Sequence, residues 1–214
     1  MRKKPYFRET AQDFLYPIFA PALIPDFARK FCCFIGAEDA GGLNMGAGCL
    51  TKHGIITAMH VVSRKTKLMY AMFLSLDNEF YTVKLENPIF IPERDLAFFE
   101  APKMIWEGLD IEPANVVLSD PEKIMFYLRN FKIYGFGCPE GIFGACWTAL
   151  PVAYNEKRNE IYTVGFGWFG VSGGPLFALD YGIPIVLGIN VELFLKTQTL
   201  VSKTIVLPEG EKNE

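Results

Sequence analysis

The chain has 214 residues, 50% of them hydrophobic and 21% charged, with a formal net charge of −3. Those values describe a globular chain with a sizeable core and exclude a disordered one. The near-neutral balance gives no electrostatic ground for nucleic acid or an anionic membrane as a partner, and the clusters Arg2-Lys3-Lys4 and Arg64-Lys65-Thr66-Lys67 are short enough to be solvated surface.

At the N-terminus an apolar run, Phe14 to Ala20, follows the basic cluster. Arg8, Glu9 and Asp13 interrupt the approach to it, and Pro17, Pro21 and Pro25 break it, so it is too short and too kinked to span a bilayer. Residues 1–30 are therefore expected to form a folded N-terminal extension with one short helix, rather than a cleaved signal. Next come short β-favouring runs separated by glycine-rich turns: 31–36, 47–51, 55–58, 68–74, 80–85 and 96–101. After a connection near 103–113 a second series follows, at 115–118, 131–136, 145–153, 160–165, 175–179, 184–191 and 200–207. Short strands at regular spacing predict an all-β barrel or sandwich. A single helix is expected over 121–129, with proline in its first turn. Turns are expected at 155–159 and 180–182, and the charged segment 208–214 is expected to be a disordered tail.

Three stretches carry chemistry. Thr57-Ala58-Met59-His60-Val61-Val62 holds one of the two histidines, Asp95-Leu96-Ala97-Phe98-Phe99 places a carboxylate at the head of an apolar run, and Gly170-Val171-Ser172-Gly173-Gly174-Pro175 sets a serine among glycines. A hydroxyl needs a base to become a nucleophile at neutral pH, an imidazole supplies one, and a carboxylate fixes the tautomer of that imidazole. Gly170-x-Ser172-x-Gly174 also fits a hydrolase nucleophile elbow, but that arrangement needs a helix after the serine and a histidine downstream. Gly173-Gly174-Pro175 is a poor helix start and no histidine follows His60. The glycines suit instead a tight loop whose Gly170 and Ser172 amides converge on one oxyanion. Asp77 and Asp110 compete for the carboxylate role, but both lie in polar, turn-like surroundings, whereas Asp95 opens an apolar strand that could bury it. His53, in Lys52-His53-Gly54, reads as an exposed turn residue, and no metal site is indicated.

The five cysteines, 32, 33, 49, 138 and 146, are odd in number and unevenly spaced, with no C-x-x-C pair. They are expected to be buried free thiols in a reducing compartment such as the cytoplasm, with a Cys138–Cys146 bridge left open.

The order His, Asp, Ser is that of chymotrypsin-type proteases. Gly46-Ala47-Gly48-Cys49-Leu50 and Ile55 to Val62, with Asp95-Leu96-Ala97 and Gly170 to Pro175, resemble the segments of the trypsin/chymotrypsin-like serine proteases, in a style closer to bacterial heat-shock-type and viral members than to secreted digestive ones. The resemblance covers roughly residues 31–207. It implies two antiparallel six-stranded β-barrels, 31–112 and 113–207, with the active site between them. It further implies a His60–Asp95–Ser172 triad, an oxyanion hole from the Gly170 and Ser172 amides, and a primary pocket with Phe166 at its floor and Val191, Glu192 and Leu193 along one wall. The chain departs from the secreted pattern in lacking a cysteine just after His60 and in having Val171 where an acid commonly pairs with a freed N-terminal amine. The expectation is a serine endopeptidase acting through an acyl-enzyme on peptide or protein substrates, without a cofactor, and cutting after apolar or small residues. The alternative is a catalytically silent protease-like fold that binds peptides or proteins.

Overall fold

The computed structural model describes residues 24–39, 42–62, 66, 68–101, 110–139, 144–164 and 170–208. The basic N-terminal cluster, most of the N-terminal extension, most of the 64–67 run, most of the 103–113 connection and the tail beyond Pro208 lie outside the described residues.

Seven strands of the first half form one antiparallel sheet: β1 (Cys32–Asp39), β2 (Gly42–Thr51), β3 (Gly54–Ala58), β4 (Leu68–Leu74), β5 (Phe80–Lys84), β6 (Ile89–Ile91) and β7 (Leu96–Phe99), in the order β5-β4-β1-β2-β3-β7-β6. The second half supplies β8 (Asn115–Val116), β9 (Ile133–Gly137), β10 (Ala145–Asn155), β11 (Glu160–Val164), β12 (Pro175–Asp180), β13 (Ile183–Phe194) and β14 (Thr199–Lys203), in the order β12-β9-β10-β11-β14-β13-β8. Pairing of β12 with β13 closes six of these strands into an antiparallel barrel, and the short β8 adds in parallel to β13.

Burial on both faces explains the unbroken apolar run at the start of β1. Strand alternation turns Cys33, Ile35 and Ala37 into the first sheet's own core, with Leu50, Ile55 and Phe73. It turns Cys32 and Phe34 the other way, into a shared core with Phe136, Cys138, Phe177 and Ile189 of the second barrel. That shared core is what fixes the two halves side by side. The helix α1 (Asp26–Arg29) borders it: Phe27 meets the Tyr134 and Phe177 rings edge-on, and Phe31, fully buried, meets Phe177 at 5.0 Å between centroids. Such pairs add about 0.5–1.5 kcal/mol beyond their burial. The second barrel is filled by Ile133, Ala149, Ile161, Leu176 and Leu187, and capped by α2 (Pro121–Asn130) through Ile124. Asp120 caps α2 by accepting from the Lys123 amide at 3.1 Å, and Pro121 occupies the first turn, as the sequence predicts.

The three-residue β6 is absent from the sequence reading, because Pro88 and Pro92 bracket it and leave no alternating pattern to see. All five cysteines are free thiols, so Cys138 and Cys146 form no bridge. Burial pushes the Cys138 and Cys146 thiols up to about 12, which keeps both protonated and poorly nucleophilic at neutral pH. Among the described residues no helix is long and apolar enough to cross a membrane.

Candidate active site

The site begins where β3 ends and β7 starts. These strands are antiparallel neighbours with Ala58 opposite Leu96, so the residues just after β3 and just before β7 must meet. After Ala58 the chain enters a single 3-10 turn, Met59–Val61, whose Val61 is buried along with the following Val62. Those two apolar anchors leave His60 facing outward, with 44% of its side chain exposed. Before Leu96 a second 3-10 turn, Pro92–Arg94, ends on Asp95 in the left-handed region at φ 54°. Aspartate tolerates that conformation better than most residues.

Asp95 then binds the His60 turn three times. Its Oδ2 lies 2.5 Å from His60 Nδ1, its Oδ1 accepts from the His60 amide at 3.0 Å, and its backbone carbonyl accepts from the Met59 amide at 2.8 Å. A carboxylate facing Nδ1 places the ring proton there and leaves Nε2 as the acceptor. The expectation that the apolar strand buries this carboxylate is met only in part: 29% of the side chain remains exposed, because Asp95 sits in the turn ahead of β7 and not within it. The competing carboxylates Asp77 and Asp110 are exposed elsewhere. His53 lies in the turn at the other end of β3, half-buried, its amide donating to Thr51 Oγ1.

Ser172 lies in the loop that leads into β12, and three elements pin that loop. Its carbonyl accepts from the Ala47 amide of β2 at 2.9 Å, the Gly170 carbonyl accepts from the Cys138 amide at 2.9 Å, and the Gly173 amide donates to the Asn190 carbonyl of β13 at 2.7 Å. Gly170 and Gly173 have φ of 94° and 83°, conformations that favour glycine. A Cβ at Gly173 would stand 2.2 Å from both the Ala47 carbonyl oxygen and Thr57 Oγ1, so the serine loop packs directly on the strand that leads to His60. Among the described residues no acceptor engages the Gly170 or Ser172 amide, and no hydrogen bond joins the Ser172 hydroxyl to His60. Two such amides, two positions apart in one loop and without an acceptor among the described residues, can receive an oxyanion. Catalytic serine–histidine contacts are often long in a free enzyme and shorten with substrate.

Of the remaining sequence-derived residues, Phe166 lies outside the described residues. Val191, Glu192 and Leu193 lie on β13, Val191 as the extra residue of a bulge between Asn190 and Glu192 and the other two just beyond it. Val191 packs against the first sheet's core, Leu193 is half-buried and Glu192 is exposed. Val171 is buried, its backbone and side chain against Gly137. Sequence reasoning overlooked Asn190. Its side chain donates to the Phe136 carbonyl at 3.3 Å and accepts from Ser202 Oγ at 2.8 Å, tying the barrel together beneath the serine loop. The signal for it was an asparagine inside the apolar stretch Ile185 to Val191. Among the described residues no group of three or more His, Cys, Asp or Glu side chains is placed to hold a metal.

Neither a protein-family model nor a curated protein sequence matches the chain. Solved structures do match its fold. The active form of the Rv3671c protease from M. tuberculosis aligns with a TM-score of 0.60 and 16% identity, over 95% of this chain and 89% of that one. The serine endoprotease from Yersinia pestis aligns at 0.57 and 15% identity, over 85% of this chain, which spans 63% of that protein's length. The HtrA-type protease AlgW, solved with a tripeptide, aligns at 0.58 and 14% identity, over 84% and 60% of the two chains. The fold is therefore that of the chymotrypsin-like and HtrA-type serine proteases.

Proposed function

We propose that the chain is a serine endopeptidase in which Ser172 attacks the scissile carbonyl, His60 serves as general base and then as general acid, and Asp95 orients His60. The observation that carries this reading is the Asp95 carboxylate on His60 Nδ1 at 2.5 Å, which leaves Nε2 as the free base of a turn packed beside the serine loop. Ser172 Oγ would add to the carbonyl carbon while His60 takes its proton, and the tetrahedral oxyanion would be received by the Gly170 and Ser172 amides. Collapse expels the amine, which leaves with the proton from His60, and water then repeats the sequence on the acyl-enzyme. The chemistry needs no cofactor.

The substrate has a natural place to bind. Among the described residues, the β13 backbone beyond Asn190 pairs with β14 on one side only, since β12 leaves it at Ile189 and β8 at Val186. An extended peptide can add to the open edge from Val191 to Phe194, which starts one hydrogen bond from the serine loop. Phe166, Val191 and Leu193 are assigned to the pocket for the residue before the cut, and their apolar character supports cleavage after apolar or small residues. Five free thiols support a reducing compartment.

The test is labelling with a fluorophosphonate, read by mass. A single adduct on Ser172, lost in Ser172→Ala and in His60→Ala, is the expected result. A folded protein that stays unlabelled and cleaves no peptide would overturn the reading in favour of a silent peptide-binding module.

A further inference from the structure

We propose that the outer face of the second barrel beside the open edge of β13 selects substrates with a basic residue second before the scissile bond and an apolar residue fourth before it. This inference rests on the peptide adding to the β13 edge described above.

The register of four neighbouring strands defines that face. Leu150 of β10 lies opposite Val164 of β11, Val164 opposite Thr199 of β14, and Thr199 opposite Phe194 of β13. Directly paired residues point to the same side of a sheet, so these four form one row. Three members are large and exposed: Leu150 at 65%, Val164 at 36% and Phe194 at 46%. Two residues along β11, β14 and β13, and three along β10 across its bulge between Pro151 and Ala153, the next row runs Ala153, Tyr162, Val201, Glu192. An apolar row and a row ending in a carboxylate therefore lie side by side, and both end on the strand with the open edge.

The charges on this face are not equivalent. Glu160 is buried and compensated: its carboxylate takes hydrogen bonds from Lys203 Nζ at 2.6 Å and Tyr162 Oη at 2.5 Å, with Arg158 Nε at 3.5 Å. Glu192 is exposed, and among the described residues no cation pairs with it. The face thus offers an incoming strand one uncompensated negative charge, placed next to the open edge.

Alternation then sets the positions. The residue whose carbonyl reaches Ser172 sits over the serine loop with its side chain toward the barrel interior, so the second and fourth residues upstream share the outer face. Antiparallel addition, the mode of both β12 and β14 on β13, runs the upstream residues along increasing β13 numbers. The second residue then faces Glu192 and the fourth faces Phe194, at the 4.5–5.5 Å or so typical of cross-strand neighbours. A lysine or arginine can lay its stem across the β13 edge and its charge on Glu192, while a leucine or phenylalanine packs on the exposed Phe194 ring.

The experiment uses two readouts on the full chain. The wild type is given a peptide library randomised at the second, third and fourth upstream residues, and cleavage is scored by position. Ser172→Ala is given fluorescein-labelled peptides that differ only in Lys or Glu at the second residue, and binding is read by anisotropy. The expected result is on the order of a tenfold preference for Lys over Glu at the second residue in both readouts. The preference weakens in high salt, disappears in Glu192→Gln and reverses in Glu192→Lys, with apolar enrichment at the fourth residue and no selection at the third. Charge-selective binding to Ser172→Ala without any cleavage by the wild type would sustain this inference and defeat the hydrolytic reading. Cleavage whose charge preference is absent, or unmoved by Glu192→Lys, would overturn the inference and leave the hydrolytic reading standing. Glu192 is exposed, so its variants are expected to fold, and the salt series on the wild type tests the same point without any substitution.

Discussion

Asp95 holds His60 by both of its carboxylate oxygens, one on the backbone amide at 3.0 Å and one on Nδ1 at 2.5 Å. The first contact fixes the 3-10 turn that carries the imidazole, and the second fixes the ring and its proton. One side chain therefore sets both the position and the tautomer of the His60 imidazole.

Asp95→Asn separates those two roles. The asparagine carbonyl can still accept from the His60 amide, so the turn and the fold are expected to survive. Its NH2 group facing Nδ1 favours the wrong tautomer, and the expected loss is on the order of 10⁴ in kcat. The measurement is steady-state hydrolysis of a peptide ester beside a thermal melt. A loss below tenfold with an unchanged melt would show that Asp95 does not orient the base.

Ser172→Ala and His60→Ala are each expected to remove nearly all hydrolysis, and the double variant is expected to cost little more than either alone. Groups that act as one unit in a transition state give such non-additive losses. Full additivity in kcat would place the two residues in separate steps and break the assignment.

Gly173→Ala tests the packing that brings the serine loop to the histidine strand. With φ at 83° and a Cβ position 2.2 Å from the Ala47 carbonyl oxygen, an alanine forces the loop off β2. A loss of at least about 2 kcal/mol is expected by urea unfolding, together with reduced activity. An unchanged midpoint would mean that the loop is free to move away from Thr57.

Much of this was legible in the sequence because the signals were local. The His60, Asp95 and Ser172 motifs each sit at the end of a short apolar strand, and the Asp120-Pro121 start of α2 follows from capping chemistry. What escaped was set by partners far away in the chain. Asn190 looks like a flaw in an apolar strand until Phe136 and Ser202 are seen to satisfy it, 54 and 12 residues away. The partial exposure of Asp95 depends on a left-handed turn that an apolar run alone does not reveal. The outer position of Glu192 follows from a bulge at Val191, which no periodicity of the sequence announces.

Arg94 is another long-range case, and it yields a prediction. Its Nη1 donates to Thr204 Oγ1 at 3.0 Å, 110 residues away, and Thr204 in turn meets Ser119 Oγ at 2.9 Å. This strut joins the turn that ends on Asp95 to the barrel that carries Ser172. Arg94→Met is expected to lower stability by about 1–2 kcal/mol and to reduce kcat more than it raises KM. Thr204→Val is expected to give a similar loss, and the double variant less than the sum. Strict additivity would show that the contact couples nothing.

The pair formed by Glu160 and Lys203 predicts how stability responds to acid. Burial alone would raise the Glu160 carboxyl, but hydrogen bonds from Lys203 and Tyr162 and the nearby Arg158 charge outweigh it and hold the group below the ordinary glutamate range. A carboxyl depressed on folding contributes stability that is fully present above its unfolded value, about 4.3, and is lost as pH falls through its folded value. Glu160→Gln removes that contribution and leaves the Lys203 ammonium, 19% exposed, without its partner. The variant is expected to be less stable than the wild type by about 1–3 kcal/mol at neutral pH. The gap should hold to about pH 5 and narrow below about pH 4, as the wild-type carboxylate takes up its proton. Urea midpoints of both proteins across pH 7 to 3 measure it. A gap that stays constant through the acid range would mean that Glu160 does not hold its charge in the folded protein.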